Sequence, residues 1–297
     1  MAGGQNSGPM PHLVLRNFLS VRASINRALS GLEHMQTWWV TIAIVLGTWV
    51  GSGRLQAGSD QPARTPVLVE LFTSEGCSSC PPADAFLQKL DRQPIDGADV
   101  IVLSEHVDYW NHIGWKDPYS SSFYSERQSA YGERLRLSGV YTPQMVVDGA
   151  SEFVGSDQAK ADTVIRKAAA SDPKIQVRLS ALSWASPDDL HAHIETAALP
   201  SSLATREADI YLAVAFDHAE SQVSRGENAG RRLSHAVVVR KIVKIGTIKR
   251  GQDFAQDVQV KLDAETAQRN LRLIAFVQEP RQGKVFGAIM QAVPQQR

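Results

Sequence analysis

Cysteine is almost missing from this chain, with 2 among 297 residues, Cys77 and Cys80. So few exclude a scaffold stapled by several disulfides. Net charge is missing too. Basic and acidic side chains number 31 each, which excludes the basic footprint of a nucleic-acid binder. No internal repeat, low-complexity tract or long charge run interrupts the sequence. What remains is the composition of a folded protein, 43% hydrophobic and 21% charged. The length allows one large domain or two ordinary ones.

A full apolar membrane span is also absent. Arg16, Arg22 and Arg27 precede an uncharged stretch at 36–53, with its apolar heart at 38–50, "WWVTIAIVLGTWV". That is shorter than the ~20 residues a span requires and suits the apolar region of a signal peptide. The alternative is an uncleaved anchor at 36–53, the one route by which this chain would meet a membrane. Both imply export, to a periplasm or to the outside. The stretch "GSGRLQAGSDQPARTP" then has linker composition, so 1–63 is expected to be signal or anchor plus linker. An oxidising compartment permits a disulfide between Cys77 and Cys80.

The folded part begins with an apolar run at 66–72, "PVLVELF", expected as a buried strand. The cysteine loop follows, then a helical pattern at 83–93 with Phe86, Leu87 and Leu90 on one face. A second buried strand is expected at 99–107. A polar and aromatic segment fills 108–137, its second half spaced as a helix through Phe123, Tyr131 and Leu135. "QMVVDGASEFVG" at 144–155 predicts a hairpin turning on Asp148 and Gly149. Ser156 is the expected cap of a further helix. This β-α-β-α-β-β-α order predicts a thioredoxin fold at 64–172, enlarged by a helical insert at about 105–138. Beyond Pro173 seven strand-like runs with few helical patterns predict a mainly-β, sandwich-like domain over 173–297.

Two cysteines three positions apart have three readings: a redox couple, half of a metal site, or a small structural clip. A clip that closes so short a loop stabilises little. A CxxC between a strand and a helix is a redox arrangement. The helix N-terminus favours a thiolate on Cys77, which attacks, and Cys80 resolves the mixed disulfide. Pro81 fits a first helical turn, but Pro82 beside it suggests that the helix starts nearer Cys80. Thr142 and Pro143 precede a strand, where a cis proline faces the CxxC in thioredoxin-like proteins and exposes backbone to a substrate strand. Glu70, inside the first strand, is a candidate proton shuttle if buried. Glu75 is expected to be solvated.

The segments "VELFTSEGCSSCPPAD", "SEHVDYWNHIGWKDP", "SERQSAY" and "VYTPQMVVDG", with "GENAGRRLSHAVVVRKI" at 226–242, resemble the secreted thioredoxin-like family catalogued as domain of unknown function 1223. The resemblance covers about 66–292. It implies a thioredoxin-like domain and a β-rich C-terminal part, and it supplies no reaction. Two features depart from ordinary thioredoxins: Ser78 and Ser79 stand between the cysteines, and the span from Cys80 to Pro143 is longer.

The insert supplies Trp110 and Trp115, which as an aromatic lid would restrict what enters beside Cys77 and Cys80. The metal alternative joins the two cysteines with His106 or His112 in a copper or zinc site. In the second half, Asn228, Arg231, Arg232 and His235 are expected in a turn with a hydrogen-bonded arginine. The expected function is thiol–disulfide exchange on a protein or small-thiol substrate, with no bound cofactor and with a redox partner for turnover. The rivals are a copper- or zinc-binding chaperone and a non-catalytic interaction module with an inert disulfide.

Overall fold

Strand β1, Thr65–Thr73, is buried over its last seven residues and lies inside the main sheet. A computed structural model describes residues 64–171 and 174–296. After β1 come α1 (Pro81–Arg92), β2 (Ala98–His106), a 3-10 turn at Asn111–Ile113, α2 (Ser122–Leu135), β3 (Gln144–Val147), β4 (Ser151–Val154) and α3 (Gln158–Ala169). The β-α-β-α-β-β-α order expected here is the order observed. β1 pairs with β2 in parallel, from Thr65 opposite Ala98 to Thr73 opposite His106, and with β3 antiparallel. The expected hairpin turns at Asp148 and Gly149, both left-handed at φ 48° and 62°, the torsions of the tight turns that join antiparallel strands. Asp157, one residue after the expected Ser156, caps α3 by accepting the Lys160 N–H.

Seven more strands follow, as expected: β5 (Val177–Ser186), β6 (Asp189–Thr196), β7 (Glu207–Gln222), β8 (Arg232–Lys249), β9 (Phe254–Lys261), β10 (Leu271–Gln278) and β11 (Val285–Ala292), with a short α4 (Ala264–Ala267) before β10. They do not form a sandwich of their own. β11, β10, β7 and β8 continue the first sheet, giving eight strands in the order β11-β10-β7-β8-β2-β1-β3-β4. The junction is a parallel bridge between Ser104 of β2 and Val238 of β8. β5, β6 and β9 form a separate three-stranded sheet. The protein is therefore mostly β, with one large mixed sheet and few helices. The expected boundary near 172 falls outside the described residues, as do the signal or anchor segment and its linker. Among the described residues no helix is long and apolar enough to cross a membrane.

Two main cores result. One gathers Leu68, Leu71, Leu87, Leu103, Ile165 and Val239 from the helices and the sheet. The other lies between the two sheets, with Leu190 and Ile194 of β6 against Phe216 of β7 and Leu273 of β10. Each such side chain contributes about 1.5–3 kcal/mol on leaving water. Arg272 of β10 grips Asp91 of α1 with two hydrogen bonds, at 2.5 and 2.9 Å, so the C-terminal strands hold the helix that starts at the cysteines.

The buried face of α2 matches expectation at Tyr131 and differs at Phe123. Tyr124, Arg127, Gln128 and Tyr131 point inward, while Phe123 is 44% exposed. The inward residues recur at three- and four-residue steps, as on any helix face, but two of them are polar.

Candidate functional site

The cysteine loop begins where β1 ends. The Cys77 N–H donates to Ser74 O at 3.1 Å, and the Cys80 N–H to Cys77 O at 3.2 Å. A disulfide joins Cys77 to Cys80, their Cα atoms 5.4 Å apart. Cys80 is the N-cap of α1, and its carbonyl accepts from the N–H groups of Ala83 and Asp84. Pro81 and Pro82 open the helix and remove two of the N–H groups that a helix start would turn toward a thiolate. The expected help from the helix to Cys77 is correspondingly reduced. Cys77 is 1% exposed and Cys80 fully buried, while Ser78 and Ser79 are exposed.

The tip of the β7–β8 hairpin closes over this loop. Asn228 Nδ2 donates to Glu75 O at 2.8 Å and to Cys77 O at 3.0 Å. Arg231 donates to Asn228 Oδ1 at 2.9 Å. The Ser78 N–H donates to Glu227 Oε2 at 3.1 Å, and these contacts with Ser78 hold the Glu227 carboxyl below its usual range.

Against the loop lies a buried cluster of charge. Glu75, Asp84, His106, Asp117 and His235 are all buried. Glu75 Oε2 accepts Trp115 Nε1 at 2.7 Å, and Glu75 Oε1 stands 3.3 Å from His235 Nε2. The other ring nitrogen of His235 is 3.6 Å from Asp84 Oδ1, a charge contact beyond hydrogen-bond length. Burial alone would lower the His235 pKa, but Asp84 and then Glu75 outweigh it and push it up to about 10. Asp117 Oδ2 meets His106 Nδ1 at 2.7 Å and accepts the Glu75 N–H at 2.9 Å. Burial works to raise the Asp117 pKa, yet His106 and these hydrogen bonds bring it below the usual value. The His106 and His235 rings are 4.7 Å apart, edge to face.

Several expected residues meet at the loop. The Thr142–Pro143 bond is cis. Thr142 Oγ1 accepts Trp110 Nε1 at 2.8 Å, and a Cβ on Gly76 would come within 3.0 Å of Trp110 Cβ. Pro143 borders Gly155 together with Ala83 of the first turn of α1. Trp110 and Trp115 thus flank the loop, as a lid would.

Glu70 does not join them. Its oxygens are taken by Arg127, at 2.5 and 2.9 Å, and by the Tyr131 hydroxyl. Arg127 also donates to Gln278 and stands 3.5 Å from Glu105. Burial raises the Glu105 pKa well above the usual carboxylate range, against the pull of Arg127. The buried acid two residues from Cys77 is Glu75, in contrast to the solvated position expected of it. His106 and His112 are not brought together as ligands. His106 turns to Asp117, and His112 is exposed on the 3-10 turn. Among the described residues no group of three or more His, Cys, Asp or Glu side chains is arranged to hold a metal ion.

Sequence reasoning missed His235, Asp84 and Glu227 as neighbours of the cysteines. The motif at 226–242 was the available signal, and its hydrogen-bonded arginine is present. The same motif also contacts the cysteine loop, through Asn228.

No curated protein matches the chain. Among solved structures, the Agrobacterium tumefaciens protein AGR_C_4864 is similar at 26% identity and a TM-score of 0.59, over 79% of this chain and 97% of that one. HBP35 of Porphyromonas gingivalis shares the fold at 17% identity and a TM-score of 0.56, over 77% of this chain and 76% of that one. Residues 68–278 match the family described as protein of unknown function DUF1223, and the chain belongs to that family.

Proposed function

We propose that this is an exported thioredoxin-like protein whose Cys77–Cys80 pair carries out thiol–disulfide exchange. The observation that carries the proposal is the disulfide at the N-cap of α1, set between Trp110, Thr142 and a buried cluster of acids and histidines. The strand order β2-β1-β3-β4 with three helices supports it, since a CxxC after the first strand of such a unit is a redox arrangement. The fold alone assigns no chemistry.

In the oxidising direction a substrate thiolate attacks Cys77 Sγ. The Cys77–Cys80 bond breaks, and Cys80 leaves as a thiolate that takes up a proton. A second substrate thiolate then attacks the substrate sulfur of the mixed disulfide and releases Cys77. The substrate loses two electrons and two protons, and the pair gains them. The reverse sequence reduces a substrate disulfide. In this reading Trp110, Trp115, Thr142 and Pro143 form the substrate side of the cysteine loop, since Trp110 meets Gly76 and Thr142, and Trp115 donates to Glu75. Turnover draws on a redox partner and needs no bound cofactor.

A second reading has its own observation. Cys77 is 1% exposed, as in an interaction module with an inert disulfide. Expressing Cys80→Ser with an export signal separates the two. Exchange leaves covalent adducts on Cys77 that reductant removes. An inert clip leaves Cys77 unmodified.

A further inference from the structure

The motif at 226–242 delivers a histidine to the cysteine loop, and the exchange chemistry above gives it no role. A disulfide carries no charge, whereas the reduced pair carries a thiolate. Charges beside the pair therefore act chiefly on its reduced form. Cys80 is the N-cap of α1, and its carbonyl accepts the Asp84 N–H at 3.1 Å, which sets Asp84 one turn along the helix from it. Glu75 and Cys77 share the Asn228 amide through their carbonyls. Cys77 thus shares its loop with buried Glu75, and Cys80 caps the helix whose first turn carries buried Asp84.

The charged and titratable groups around them come from both halves of the chain. The loop and α1 bring Glu75 and Asp84. β2 and the turn after it bring His106, Asp117 and Tyr119. The hairpin tip brings Glu227 and Arg231, both exposed. β8 brings His235. His106 is held by Asp117, and the Tyr119 hydroxyl donates to Glu220 O. His235 is the side chain that reaches both Glu75 and Asp84.

We infer that His235 is a positioning residue of the redox couple: held between Glu75 and Asp84, it offsets their charge and stabilises the reduced Cys77–Cys80 pair. The inference rests on the exchange reading. The imidazolium form that the role requires agrees with the raised affinity of this ring for its proton. A buried acid left without its partner repels a thiolate at close range and is itself costly.

The test is the equilibrium of the described protein with glutathione at pH 7, for wild type, His235→Gln, Asp84→Asn and Glu75→Gln. His235→Gln is expected to shift the pair about tenfold toward the disulfide, about 30 mV in potential. Asp84→Asn and Glu75→Gln are expected to shift it severalfold toward the dithiol. Loosening of the fold cannot produce opposite signs. If His235→Gln fails to fold, the two acid variants carry the test alone. Shifts of one sign in all three variants, or no shift in any of them while the wild type does exchange, overturn the role of His235. A wild type that never equilibrates with glutathione overturns the exchange reading itself.

Discussion

His235 Nε2 stands 3.3 Å from Glu75 Oε1, although 160 positions separate the two residues in sequence. The contact ties a strand of the C-terminal half to the loop that carries the cysteines. Hydrogen bonds from Asn228 and to Glu227 add to it. The cysteine loop of the first half is thus held by side chains from the second.

The buried histidine makes stability pH-dependent. Its folded pKa, about 10, lies above the ordinary 6.5 because Asp84 and Glu75 outweigh its burial. The stabilisation is then fully present below about pH 6.5 and is lost as pH rises through about 10. Between pH 6 and pH 10 wild type is expected to lose on the order of 4 kcal/mol more unfolding free energy than His235→Gln. Urea titrations at both pH values check this, and parallel losses in the two proteins contradict it.

The Glu70–Arg127 pair predicts an asymmetry. Arg127→Ala leaves Glu70 buried without its cation and is expected to cost about 3–5 kcal/mol. Glu105, whose pKa burial raises well above normal, is expected to tolerate Glu105→Gln within about 1 kcal/mol. Equal costs for the two changes would contradict this account of the pair.

The hairpin turn predicts a steric cost. Gly149 has φ of 62°, and a Cβ there would collide with Gly283 O. Gly149→Ala is expected to lose at least about 1 kcal/mol, read as a lower urea midpoint. The collision is with backbone, so side-chain rearrangement does not relieve it.

Glu227 predicts a kinetic effect. Its carboxylate accepts the Ser78 N–H beside the disulfide. Glu227→Ala is expected to speed reduction of the pair by a phosphine about two- to fivefold with an unchanged unfolding midpoint, because exposed contacts of this kind contribute little to stability. An unchanged rate would mean that the hairpin tip does not limit access.

The seven C-terminal strands were legible because apolar residues run through or alternate along each. The Asp148–Gly149 turn was legible from local chemistry, and the cis Thr142–Pro143 bond from its place in a thioredoxin-like order of elements. The continuous sheet was not, because β8 joins β2 through the single bridge at Ser104 and Val238, which no local pattern announces. Glu75 looked solvated because polar loop residues usually are. Its burial follows from His235 and Trp115, both distant in sequence. Arg127 and Gln128 interrupt the apolar stripe that marks a helix face, so the expected face through Phe123, Tyr131 and Leu135 matches the buried side of α2 only at Tyr131.

The central claim is that Cys77 and Cys80 form a working redox couple. Their reduction potential, measured on chelator-treated protein in glutathione buffers by counting free thiols, tests it most directly. Working couples fall between about −120 and about −270 mV, and structural disulfides below about −300 mV. A value in the first range is the predicted result and also indicates the direction of electron flow. A value below the second limit, or a pair that never reacts, contradicts the claim.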